Sequence, residues 1–301
     1  MRLEDYPPQE ALSEAGQRYA DSCWQRSASV NAEVRVEEHA YVEQGHACQR
    51  LLVYPAAQAD GRVLLLWHGG GWTSGYKEWM GFMAPPLNAA GVTVVSAGYR
   101  LAPQQLFPAG LDDCAAALDW VAAHIGHVGG NAQQLFIGGH SAGGHYAALL
   151  ALGKARLRIR GCLPISGVYD FRAGSGLSNR PRFLGPAPQA NDAGEIVLDT
   201  AAEAASPMVA LAALQPTANA KSAARTAVRL PAFLISHGSA DFPHLMTQAG
   251  QFAQALRQAG ASVEHLVMAE RTHFTAHFAS AEPDGPWLAP ALAFMARHAV
   301  A

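Results

Sequence analysis

The chain has 301 residues, half of them hydrophobic and 15% charged, with 21 basic against 24 acidic side chains. That length and apolar content exclude a wholly disordered chain and allow one large α/β domain or two ordinary ones. A net charge of −3 leaves no basic surplus for a phosphate backbone, so no nucleic-acid partner is expected, and no apolar run approaches the ~20 residues of a membrane helix.

The N-terminal stretch Met1-Arg-Leu-Glu-Asp-Tyr-Pro-Pro-Gln-Glu10 is acidic and proline-bearing, unlike a secretory or transit peptide, so the expectation is a cytoplasmic protein with no membrane partner. Beyond a weak helical pattern before Ala20, strand patterns fall at Glu33–Glu38 and Cys48–Tyr54. Both alternate in polarity and are joined by a short loop containing Gln44-Gly45, the pattern of an antiparallel hairpin at a sheet edge. Further strands are expected at Val63–Trp67, Val92–Ala97, Leu135–Gly138, Gly161–Ile165, Ala232–Ser236 and Val263–Met268. Helices are expected at Leu111–His124, Ala142–Leu152, His244–Ala259 and Pro286–His298. This alternation is the βαβ pattern of a mostly parallel central sheet with helices on both faces. The four cysteines, Cys23, Cys48, Cys114 and Cys162, are scattered without a C-x-x-C pair, which reads as reduced structural thiols.

Tyr169 to Leu230 breaks the rhythm with Gly, Pro, Ala, Ser and Asn, including Gly185-Pro-Ala-Pro188. A structureless loop of that length is improbable in a compact domain, so residues 170–230 read as an insertion, partly helical near Asp199–Ala205. With the first ~30 residues it forms a small cap over one end of the sheet, the alternative being a surface excursion.

The segment with the most chemical content is Leu135-Phe-Ile-Gly-Gly-His-Ser-Ala-Gly-Gly-His145. Gly139-His-Ser-Ala-Gly143 matches G-x-S-x-G, with an apolar strand before it and an Ala/Leu helix after it, the setting of a nucleophile elbow. The turn leaves no room for side chains two before and two after Ser141, and the serine sits at a helix N-terminus that favours developing negative charge. His68-Gly-Gly-Gly-Trp72 follows the strand Val63–Trp67, and its glycines free backbone N–H groups for an oxyanion. Gly69 and Gly70 are assigned as donors with the N–H of Ala142, and Gly71 as spacer. A serine needs a base and an orienting carboxylate. Asp241 and His273 each follow a parallel strand, where open α/β sheets place their sites. The order Ser141, Asp241, His273 leaves Glu270 and His277 as rivals, Glu270 being too near His273 along the chain. The pair His273 and His277 has helical spacing for a metal but no third ligand, so no metal is expected.

These residues resemble the α/β-hydrolase superfamily. More narrowly, the chain is similar to the hormone-sensitive-lipase-like esterases and the kynurenine formamidase (arylformamidase) branch. The carriers are His68-Gly-Gly-Gly-Trp72, Tyr99-Arg-Leu-Ala-Pro103 with Phe107-Pro-Ala109, and Gly139-His-Ser-Ala-Gly-Gly144, completed by Asp241 and His273. The resemblance covers about Leu51 to the C-terminus, and with the element pattern the expectation is one α/β-hydrolase domain over 1–301, with residues 1–30 and 170–230 as cap elements. It implies serine hydrolysis of a small-molecule ester or amide through an acyl-serine, with no cofactor, and it allows a homodimer whose face the sequence does not locate. The lipase-like esterases carry aspartate where His140 stands, and the formamidases an aromatic residue where Gly71 stands, so the substrate divides between short or medium acyl or aryl esters and arylformamides. A catalytically silent binding protein on the same fold is the third reading, and it requires a displaced or blocked triad member. Trp72, His140 and Tyr169 are the expected substrate-binding residues, with further aromatics at Tyr76, Trp79, Phe82, Phe171 and Phe183.

Overall fold

Val63–Trp67 is an unbroken run of Val, Leu, Leu, Leu and Trp with every side chain buried, the composition of a strand covered on both faces. Its neighbours follow the same logic in a computed structural model that describes residues 6–300, except 154, 156, 157, 173, 175, 190–196 and 216–228. The strands are β1 (Glu37–Ala40), β2 (Arg50–Tyr54), β3 (Val63–Trp67), β4 (Thr93–Ala97), β5 (Leu135–His140), β6 (Ile159–Ile165), β7 (Ala232–Ala240) and β8 (Val263–Thr272). Among the described residues they form one eight-stranded sheet in the order β1-β2-β4-β3-β5-β6-β7-β8. β1 and β2 make the expected antiparallel hairpin at the edge, β2 lies antiparallel on β4, and the other pairings are parallel.

The helices are α1 (Glu14–Glu33), α2 (Ala84–Ala89), α3 (Ala109–His124), α4 (Ala142–Leu152), α5 (Arg180–Leu184), α6 (Thr200–Ala204), α7 (Pro207–Leu214), α8 (Pro243–Gln258), α9 (His273–Phe278) and α10 (Leu288–His298). The two-residue period of the strands splits the core in two. Val63, Leu65, Val95, Ile137 and Phe233 pack with α3, α4 and α8, through residues such as Leu118, Ala147 and Phe252. Leu64, Leu66, Val94, Phe136 and Leu234 pack with α1, α2 and α10, through Cys23, Leu87 and Phe294. Truncating a fully buried leucine of β3 to alanine would cost about 2–5 kcal/mol. All four cysteines are free and buried.

Two expectations shift at the N-terminal edge. The weak helix is a 20-residue α1, started by Ser13, whose Oγ accepts from the Gly16 N–H at 3.2 Å. It buries Tyr19, Ala20, Cys23 and Ser27 on one face, and it runs through Glu33, so β1 begins at Glu37 rather than Glu33. The stretch read as an insertion holds α5, α6 and α7; its residues 173, 175, 190–196 and 216–228, and residues 1–5 of the expected N-terminal cap element, lie outside the described residues. No helix among the described residues is long and apolar enough to cross a membrane.

Candidate active site

The carboxyl ends of the parallel strands β3, β5, β6, β7 and β8 lie side by side, which brings five distant segments to one end of the sheet. At the end of β5 the chain turns sharply into α4. Ser141 carries that turn at φ 52°, ψ −114°, a conformation non-glycine residues rarely adopt and one that costs on the order of 1–3 kcal/mol. It is held by Ser141 N–H to Ile165 O at 2.9 Å and His145 N–H to Ser141 O at 3.0 Å. Glycine is obligatory two residues on, because a Cβ on Gly143 would stand 1.9 Å from the carbonyl oxygen of Trp67.

His273 opens α9, fixed there by Thr272, whose hydroxyl accepts from the Thr275 N–H. The Ser141 hydroxyl donates to His273 Nε2 at 3.0 Å, and His273 Nδ1–H donates to Asp241 Oδ1 at 2.8 Å. Both His273 and Asp241 are buried. Burial opposes ionisation of Asp241, yet the bonds from His273, from the Ser166 hydroxyl and from the Phe242 N–H hold its carboxyl below the usual range. Ser166, just past β6 at φ 52°, escaped the sequence reading; the trace it left is Ser166-Gly167 after a strand. The displaced partner that a silent fold requires is not found: Ser141, His273 and Asp241 stand in one hydrogen-bonded line.

Beside that line runs the loop after β3. Gly70, Gly71 and Trp72 all have positive φ, at 112°, 60° and 65°. Thr73 and Ser74 donate their N–H groups to the Gly70 carbonyl, closing the turn. Among the described residues, no acceptor takes the N–H of Gly70, Gly71 or Ala142. Gly70, Gly71, Trp72, His140, Ser141 and His273 line a cavity of about 450 Å³. Gly69 is not among its lining residues; a Cβ there would meet His140 Nδ1 at 2.8 Å and the Ser141 Cβ at 3.2 Å, so it packs behind the serine.

Buried histidines brace this loop. His68 stacks on Tyr99 with ring centres 4.3 Å apart, and burial lowers its pKa to about 4. His145 on α4 accepts from the Trp72 indole N–H at 3.1 Å and donates to the Ala205 carbonyl at 2.7 Å, with burial lowering its pKa to about 3. One imidazole thus ties the glycine loop, α4 and the insertion together. Asn179 of the insertion also donates to the Gly71 carbonyl at 3.1 Å.

Of the expected substrate-binding residues, Trp72 and His140 border the cavity and Tyr169 does not. Its ring is fully buried and stacks on Phe252 of α8 at 4.5 Å, so Tyr169 is a core residue. Phe171 and Phe183 pack on Trp72, at 5.2 and 4.4 Å, behind the cavity wall. The wall that the sequence did not specify comes from Leu12, Tyr19, Leu177, Phe242, Leu245 and Phe274. Glu37, His39 and His127 bring ligand-type atoms within 4.8 Å of one another at the β1 edge, but Glu37 already accepts from Arg35 on one oxygen and from the two imidazoles on the other.

With this geometry in view, a family model described as alpha/beta hydrolase fold matches residues 64–277. The chain belongs to that family. Carboxylesterase NlhH of Mycobacterium tuberculosis is 37% identical over 123 residues, 40% of this chain and 38% of that protein. Kynurenine formamidase of Salmo salar is 34% identical over 117 residues, 37% of this chain and 38% of that protein. The matched stretch therefore spans well under two thirds of these relatives. Among solved structures, the Pyrobaculum calidifontis esterase shares the fold at TM-score 0.68 and 22% identity, covering 94% of this chain and 93% of that one. The relatives of this chain include proteins named for ester and for formamide hydrolysis, the two substrate classes between which the sequence motifs divide.

Proposed function

We propose that this chain is a serine carboxylesterase acting on short or medium acyl or aryl esters. The observation that carries the reading is the unbroken line Ser141–His273–Asp241 beside three backbone N–H groups with no acceptor among the described residues. Ser141 Oγ attacks the ester carbonyl as His273 Nε2 takes its proton, and Asp241 stabilises the resulting imidazolium. The carbonyl oxygen becomes an oxyanion held by the N–H groups of Ala142, Gly70 and Gly71. This moves the loop donors one residue along from the Gly69 and Gly70 pair expected from the sequence. Each such donor is worth about 3–4 kcal/mol in the transition state. Collapse expels the alcohol with the proton from His273, and a water activated by the same nitrogen frees the acid.

A cavity of about 450 Å³ with Trp72, Leu12, Leu177, Phe242 and Phe274 on its walls suits a small apolar acyl or aryl group. Its walls come partly from the N-terminal segment and the insertion, which supports their role as cap elements of a single domain. Replacing Ser141 by alanine is expected to cut turnover of p-nitrophenyl acetate and butyrate by roughly a million-fold and to abolish fluorophosphonate labelling. Undiminished turnover by that variant would overturn the reading. The similarity to kynurenine formamidase supports a second substrate class, and faster turnover of N-formylkynurenine than of the esters would favour it.

A further inference from the structure

The side chain of His140, which stands immediately before Ser141, makes two hydrogen bonds among the described residues, and neither is to Ser141. Its Nε2 lies 2.9 Å from the backbone carbonyl of His273, and its Nδ1 lies 2.8 Å from the hydroxyl of Tyr19 on α1. That hydroxyl also lies 2.8 Å from Nδ1 of His277, one turn beyond His273 on α9. The His140 and His277 rings stack at 4.8 Å, only 6° from parallel.

The partners fix every proton. A carbonyl only accepts, so His140 carries its proton on Nε2, and its bare Nδ1 must accept from Tyr19. The Tyr19 hydroxyl, having one proton, then accepts from His277 Nδ1–H. This leaves His277 Nε2 as a bare lone pair, and that atom is buried with no hydrogen-bond partner among the described residues. All three rings are buried, and burial holds both imidazoles neutral by lowering their pKa, His140 to about 3. The bonds therefore run one way, from His277 to Tyr19 to His140 to the His273 carbonyl, and they link residues 121 to 258 positions apart in sequence.

We propose that Tyr19 is a positioning residue for the active-site histidine: through His140 it fixes the backbone of His273 and so the aim of Nε2 at Ser141. The N-terminal helix thereby enters the catalytic geometry rather than only walling the cavity. The kinetic consequence rests on the esterase reading; the proton assignment does not.

Tyr19→Phe keeps the ring, with its contacts to Trp79 and Phe274 at 5.6 and 5.0 Å, and removes only the hydroxyl. With p-nitrophenyl butyrate, kcat is expected to fall about tenfold, the size of one buried hydrogen bond, with KM within about twofold. Combined with His140→Leu, or with His140→Asn if the leucine variant does not fold, Tyr19→Phe should cost nothing more than the His140 change alone. An unchanged kcat, a loss confined to KM, or losses that multiply would each overturn the proposal. Imidazole 15N NMR of the unmodified protein tests the chain without turnover: His140 should be the Nε2–H tautomer and His277 the Nδ1–H tautomer, and the reverse at either ring sinks the proposal. Wild-type turnover that Ser141→Ala abolishes upholds the esterase reading whatever Tyr19→Phe does, so the two failures are distinguishable.

Discussion

Lowering the pH from 7.5 to 5 should destabilise this fold steeply, and the buried histidines set the size of the effect. His68, His140 and His145 are buried, and burial holds their pKa values at about 4, 3 and 3. In the unfolded chain an imidazole titrates near ~6.5. Between those values the unfolded state binds protons that the folded state refuses, so stability is intact above ~6.5 and falls with falling pH. At pH 5 each ring costs about 2 kcal/mol and the three together about 6 kcal/mol, against a total stability of about 5–15 kcal/mol. His277, lowered well below its ordinary value, adds to the effect, while exposed His127, raised by its bond to Glu37, works against it. Urea unfolding followed by tryptophan fluorescence at half-unit pH steps measures the slope directly. His145→Gln removes one titrating ring and should remove about 2 kcal/mol of the loss between pH 7.5 and 5, whatever its effect on absolute stability. A slope near pH 5.5 below that of one proton, about 1.4 kcal/mol per pH unit, would refute the reasoning.

Three further outcomes are expected. Ser166→Ala strips Asp241 of a hydroxyl donor and should lower kcat about tenfold with little change in KM, read from Michaelis curves. Gly143→Ala forces a Cβ against the backbone of β3 and should cost about 3 kcal/mol or more. Gly250→Ala, inside α8 with nothing within 4 Å of the added Cβ, should instead stabilise by about 0.5–1 kcal/mol, and thermal melts of the two variants check both signs.

The strands were legible because a sheet covered on both faces writes itself as uninterrupted Val, Leu and Ile, as Val63–Trp67 does. The side chains at strand ends were legible for a related reason: once the strands are parallel, whatever follows each of them arrives at one end of the sheet. The relations that depend on packing between remote segments were not legible. Nothing near Ser166 announces Asp241, 75 positions away, and nothing near Tyr19 announces His140. Tyr169 misled because an aromatic residue in a loop-like stretch has the same composition whether it faces a ligand or Phe252. Three consecutive glycines carry no sequence cue for how the loop bends; the structure places the positive φ at Gly70 and Gly71.

The stretch matched by the family model opens at residue 64, one position into β3, and closes at 277. A gene trimmed to those limits would still encode Ser141, Asp241 and His273, yet its product would have lost Leu12, Ser13, Gly16 and Tyr19 from the cavity, together with α10. Such a fragment would keep those three side chains beside a chamber missing a wall, so anyone cutting or swapping segments between relatives should carry residues 11–19 along with them.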